Sequence, residues 1–340
     1  MTYENKIFWA IVGLGKHAEV ICDAIKKSYN GNLVAVISKD KDRAKQFMNR
    51  YEIPTHLFSV KDLSKTKNIN SLFISSPNHR HAKEAISAIK ANKNVLCEKP
   101  LAISIKEGNQ IKSALKENAV TFSVGFHLRH EKLIQKAKNI LLDSTIGEIK
   151  YIELQWLVGS LGKIKLPPLM KHMKWRENYQ KSGGGSIMAR GVHLFDLLRY
   201  LTGQEIEEVY ATMDLDKKID STTIGLCRIG GAYCTIVTSR IIPLSDNIIK
   251  FYGSDGRLSL YDACSPNEDG RLEIITHEKK DAQVYQKTNL YVKEIQDFGE
   301  MVLNGRKTSS ATLDDGLKTI NITEAFFNSA RKGRLIKVTY

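Results

Sequence analysis

The chain predicts an α/β domain followed by an α+β domain, and two observations carry this. Over roughly the first 125 residues, short apolar runs alternate with amphipathic helical stretches, the pattern of a parallel sheet with right-handed crossovers. Beyond that region short strand-like segments follow one another, set off by turn residues. The 340 residues suffice for two cores of ordinary size.

The first strand is the apolar run "IFWAIV". It passes through Gly13-Leu14-Gly15-Lys16-His17-Ala18 into helical spacing, a strand, glycine turn and helix of the form G-x-G-x-x-A. Gly13 makes the tight turn, Gly15 lets a pyrophosphate approach the backbone, and Ala18 lets the helix pack closely on the strand. The helix N-terminus then faces the phosphates. Gly13, Leu14, Gly15, Lys16 and His17 are therefore expected to bind a dinucleotide.

The second strand, "NLVAVISKD", ends at Ser38 and Lys39, with Arg43 one helical turn onward. A carboxylate at this strand end would bond the ribose hydroxyls and repel a 2′-phosphate. A hydroxyl and two cations welcome one, so NADP is the expected cofactor. NAD is the alternative if Asp40 or Asp42 supplies the ribose contact after a shift of one or two residues.

Two more strand and helix pairs follow, beginning at "SLFISSP" and "NVLCEKP", and then another strand, "VTFSVGF". Ligands of such sheets sit beyond the carboxyl ends of the strands. That places Ser76, Pro77, Asn78 and His81 after one strand, and Glu98 and Lys99 after the next, among the cofactor-facing residues. A lysine between an acid and a proline at a strand end is also a candidate for chemistry.

Four motifs in order give the chain an end-to-end resemblance to the glucose-fructose oxidoreductase / inositol dehydrogenase (Gfo/Idh/MocA) family. They are "SSPNHRHAKEAISAIKANKNVLCEKPLAIS", "VGFHLRH", "SGGGSIMARGVHLFDLLRYLTG" and the tail from "EIQDFGEMVLNG" to "GRLIKV". The resemblance implies a Rossmann NAD(P)-binding domain over residues 1–125 and a substrate-binding and oligomerisation domain over 126–340. The second is implied to be a large open, mostly antiparallel sheet, with a C-terminal helix near 311–332 that packs back toward the first domain. It further implies a homodimer or homotetramer. The implied reaction is hydride transfer between nicotinamide and a sugar or cyclitol carbon, with Lys99 and His193 acting at the substrate oxygen.

The stretch "GGGSIMARGVHLFD" carries the main departure. Family members have an aspartate four residues before the histidine, on the same helical face; here the position is Ala189. In one reading His193 and Lys99 still handle the proton while Arg190 grips an anionic group of the substrate. In the other, the acid–base pair is lost and the chain is a non-catalytic sugar or cofactor sensor. Asp196 either replaces the missing carboxylate or makes a structural bond. His127 and Trp175 are candidate substrate contacts, Trp156 a candidate stacking platform, and Arg129 structural. The basic segment 163–176 includes Lys163, Lys165, Lys171, Lys174 and Arg176, and with Arg190 it points to an anionic sugar: phosphorylated, nucleotide-linked or acidic.

Composition narrows the classes. A formal charge of +14 raises the encounter rate with anions, but no nucleic-acid recognition motif accompanies it, so no nucleic-acid partner is expected. No run is long enough to span a membrane, and no signal-peptide pattern opens the chain, so a cytoplasmic location is expected. The five cysteines are scattered, predicting buried thiols with no disulfide and no metal site. The expected function is an NAD(P)-dependent oxidoreductase acting on a small sugar-like substrate. A nicotinamide-dependent glycosidase is a further alternative.

Overall fold

The computed structural model describes residues 6–159, 171–214, 219–265 and 268–340. The chain forms two compact units, 1–127 with 289–317, and 128–288 with 318–340.

The first unit is built on six parallel strands: β1 (Ile7–Val12), β2 (Gly31–Ile37), β3 (Thr55–Leu57), β4 (Ser71–Ile74), β5 (Asn94–Glu98) and β6 (Phe122–Gly125). Their order, β3-β2-β1-β4-β5-β6, reverses direction between β1 and β4, which opens a crevice at the carboxyl ends. The strand β3, which alternation does not mark, pairs with β2 through three residues. Helices α1 (Lys16–Lys27), α2 (Lys41–Tyr51), α3 (His81–Lys90) and α4 (Ile105–Lys116) are the crossovers. Each turns an apolar stripe inward; in α1 that stripe is Ala18, Ile21, Cys22 and Ile25. The core centres on Trp9, whose ring lies 5.2 Å from Phe298 and 6.4 Å from Phe73.

The second unit opens with α5 (Lys132–Leu142) and β7 (Ile149–Leu157). A short helix α6 (Tyr179–Ser182), a π-helical turn over Ile187–Gly191 and α7 (Val192–Thr202) follow. Then come β8 (Ile206–Met213), β9 (Thr222–Ile229), β10 (Ala232–Ser239), β11 (Ile248–Gly253), β12 (Gly256–Tyr261), β13 (Gly270–Thr276) and β14 (Lys280–Tyr285). Helix α8 (Leu290–Asn304) belongs to the first unit, where Ile295 and Phe298 join the core with Ile21 and Ile25 of α1. Helix α9 (Leu313–Lys332) and β15 (Ile336–Lys337) end the chain.

Nine strands form one sheet in the order β14-β13-β12-β11-β7-β10-β9-β8-β15. Only the β7–β10 pair is parallel. The segment "NIIKFYGSDGRLSLY" folds as the hairpin β11–β12, turning at Ser254-Asp255. Alternating burial along β8 and β9 covers one face of the sheet and leaves the other open. All five cysteines are buried and free. Among the described residues, no helix is long and apolar enough to cross a membrane.

Candidate active site

In the first unit the glycine turn is shaped for close backbone approach. Gly13 has φ +88°, and a Cβ there would strike the backbone of Ser75 and Ser76. A side chain is excluded by conformation and by space at once. At Gly15, by contrast, a Cβ would meet nothing within 4 Å. Gly15 is the N-cap of α1 and gives the helix no side-chain cap, leaving the first-turn N–H groups without a side-chain acceptor from that position. A dinucleotide pyrophosphate fits this arrangement. Leu14 is buried beneath the turn and Lys16 is exposed on it.

Ser38 and Lys39 lie at the carboxyl end of β2. Asp40 caps α2, its Oδ1 accepting from the Arg43 N–H at 3.0 Å. Arg43 reaches back to the glycine turn: Nε donates to the Leu14 carbonyl at 2.8 Å, and its guanidinium lies 3.4 Å from Glu19. Beyond β4, Ser76 donates to Glu84 at 2.5 Å, while Pro77 and Asn78 begin a short turn. His81 is buried, with Nδ1 2.7 Å from the Pro100 carbonyl and Nε2 2.8 Å from the Ser76 carbonyl. Its ring therefore ties the turn after β4 to the one after β5.

Glu98 is the centre of this edge. Its Oε1 accepts from His17 Nε2 at 2.6 Å, and its Oε2 from the Lys99 backbone N–H at 3.2 Å. Burial alone would raise the Glu98 carboxyl. The His17 imidazole, backed by Lys99 and His127, overrides that and holds it down at about 2. The Tyr291 ring of α8 lies 5.2 Å from His17 and 4.6 Å from His127. One turn on, Glu294 is 1% exposed, and neither carboxyl oxygen has a hydrogen-bond partner. Burial, with the Glu98 and Asp297 charges beside it, pushes that carboxyl well above its ordinary value. Tyr291 escapes a motif search because its segment reads as an ordinary amphipathic helix, and the tail motif opens at Glu294 without marking that residue as a buried acid. The signal present was an acid among the apolar positions Leu290, Ile295 and Phe298.

In the second unit the glycine stretch is fastened by Asp220. Its carboxylate accepts from the Gly185 N–H at 2.6 Å and the Ile187 N–H at 2.8 Å, and its carbonyl from the Ser186 N–H at 3.0 Å. A Cβ at Gly185 would collide with the Asp220 carbonyl. The glycine there serves this backbone contact, and the helix start already holds its anion. Asp220 is a residue that sequence reasoning missed, 35 positions away from Gly185.

His193 is 2% exposed in the first turn of α7, its ring 5.4 Å from that of Trp156 on β7. Ala189 is exposed within the preceding π-helical turn. The wider turn means that residues 189 and 193 do not stand on one regular α-helical ladder. Asp196 is bound to Arg129, with Oδ2 2.8 Å from Nε and Oδ1 2.6 Å from a terminal nitrogen. Its role is thus the structural one. Arg190 is half-buried beside Arg240, and burial followed by that second positive charge pulls its guanidinium below the ordinary value. Trp175 is half-buried under the Arg176 guanidinium at 5.2 Å. Lys163 and Lys165 lie outside the described residues.

Residues 7–126 match the model of an oxidoreductase family with an NAD-binding Rossmann fold, and residues 134–259 match the GFO/IDH/MocA C-terminal domain. The chain belongs to the Gfo/Idh/MocA oxidoreductase family. It is 25% identical to the uncharacterized oxidoreductase YrbE of Bacillus subtilis, over 99% of this chain and 98% of that protein. It is 23% identical to a myo-inositol 2-dehydrogenase of Thermotoga maritima, over 96% and 97%. In fold it is similar to a levoglucosan dehydrogenase solved with NADH, with a TM-score of 0.86, 19% identity, and 98% and 99% of the two chains covered. The Gfo/Idh/MocA fold thus accounts for both sheets and for an NAD(P)-binding first unit.

Proposed function

We propose that this chain is an NAD(P)-dependent oxidoreductase that interconverts a secondary alcohol and a ketone on a sugar-like ring. One observation carries the reading: the open, uncapped α1 start at Gly15 shares a sheet edge with Glu98 and Lys99, and His17 links the two. Gly13 to His17, Ser76, Pro77, Asn78, His81 and Glu98 shape the cofactor crevice. A bound nicotinamide supplies the hydride acceptor or donor at C4. Lys99 stabilises the developing alkoxide as a cation, and His193 takes or returns the hydroxyl proton. His127 and Trp175 contact the substrate.

The preferred cofactor in this reading is NADP. Asp40 is engaged as a helix cap, and Ser38, Lys39 and Arg43 offer a hydroxyl and two cations at the end of β2. The substrate is an anionic sugar. Arg190 and Arg240 place two positive charges together, and a phosphate or carboxylate there would relieve their repulsion. Self-association uses the open sheet face, where Tyr210, Ile224, Leu226 and Tyr233 are 45–63% exposed.

The test is titration of NADPH and NADH into the purified protein, then a spectrophotometric screen of keto-sugars and their phosphates. Tighter NADPH binding with turnover, lost in Lys99→Ala and His193→Ala, is the expected result. Equal rates on a neutral sugar and its phosphate would sink the anionic substrate. Cofactor binding without turnover on any sugar favours a second reading, a sugar or cofactor sensor, for which Ala189 is the specific motivation.

A further inference from the structure

We propose that His17 is a positioning residue for Lys99, acting through the Glu98 carboxylate; this rests on the reading of Lys99 as the residue at the reacting oxygen. One carboxylate bridges two turns of the first unit. Its Oε1 meets the His17 imidazole of the cofactor turn at 2.6 Å, and its Oε2 meets the backbone N–H of Lys99 at 3.2 Å. The sheet brings these turns side by side, and Glu98 itself lies in register with Gly125 of β6. The Tyr291 ring stands edge-on to His17 at 5.2 Å, limiting where that imidazole can turn.

The need for His17 follows from what surrounds the carboxylate. Glu98 is 7% exposed, and Glu294, 1% exposed, lies within reach of its charge and that of Asp297. The groups that face Glu98 are His17, Lys99, His127, Tyr291 and Glu294. His17 is bonded to it side chain to side chain at 2.6 Å. Without that bond a buried anion loses its closest counter-group beside a second carboxyl, and protonation or rotation is its escape. Either change removes the anionic acceptor of the Lys99 N–H and the negative charge next to the lysine. His17 is thereby a means for the cofactor turn to hold the lysine in place.

The experiment compares full-length wild type, His17→Ala, His17→Gln, Glu98→Ala, the double variant and Lys99→Ala, measuring NADPH affinity, kcat and KM. Loss of position costs about 10- to 100-fold in rate, so His17→Ala is expected to lower kcat at saturating NADPH by that factor, over and above any weakening of cofactor binding at the turn. His17→Gln, which keeps an N–H donor, is expected to restore most of it. The double variant is expected to be no worse than Glu98→Ala alone, because both substitutions break one link. The proposal is overturned if His17→Ala keeps kcat within twofold, if the loss falls only on NADPH affinity or KM, if Gln does not rescue, or if the two substitutions add. Full turnover in Lys99→Ala would instead overturn the underlying reading of the lysine.

Discussion

Asp196 grips Arg129 with both carboxylate oxygens, at 2.6 and 2.8 Å, and both side chains are buried. The acid three residues beyond His193 is therefore engaged across 67 positions of sequence. Breaking such a buried pair leaves an uncompensated charge, so Asp196→Ala is expected to destabilise the protein by about 3–5 kcal/mol. Urea unfolding checks this. A change below about 1 kcal/mol would mean the pair contributes little.

Asp220 holds the N–H groups of Gly185 and Ile187 where the helical stretch leading to His193 begins. Asp220→Ala removes both acceptors in a buried place, and each orphaned donor costs about 1–3 kcal/mol. A lower urea midpoint and a fall in turnover are expected together. Asp220→Asn keeps one acceptor oxygen and should recover part of both.

Two carboxyls of the first unit impose opposite pH dependences. Glu98 is held at about 2, below the ordinary 4.5, so its contribution is complete above pH 4.5 and is lost as pH falls toward 2. Glu294 is raised, so its contribution is complete below pH 4.5 and is lost as pH rises. Thermal unfolding from pH 7 to pH 3 checks the signs. Glu98→Gln is expected to lower Tm at pH 7, with the difference shrinking in acid. Glu294→Gln is expected to raise Tm at pH 7, with no gain at pH 4.

Arg43 lies against the glycine turn through the Leu14 carbonyl. If the chain binds NADP as proposed, Arg43→Ala should raise the Kd for NADPH by roughly tenfold, the scale of one charge-assisted bond, and that for NADH far less. Calorimetric titration of both cofactors decides it. Equal weakening of the two would assign Arg43 to the turn alone and not to the 2′-phosphate.

The sequence by itself determined the parts of this protein that depend on local periodicity. Strands at Ile7–Val12 and Asn94–Glu98, the glycine turn and the Glu98-Lys99 strand end were all legible, because apolar runs, glycines and strand ends obey short-range rules. The same was true of the family, whose motifs recur in order along the chain. Tertiary structure alone decided the partners. His17 meets Glu98 across 81 positions, Arg129 meets Asp196 across 67, and Gly185 meets Asp220 across 35. Residues that far apart have no shared pattern to read. The same holds for the acidities of Glu98 and Glu294: two identical side chains, one held below and one pushed above the ordinary carboxyl value, differ because one meets an imidazole where both have lost water.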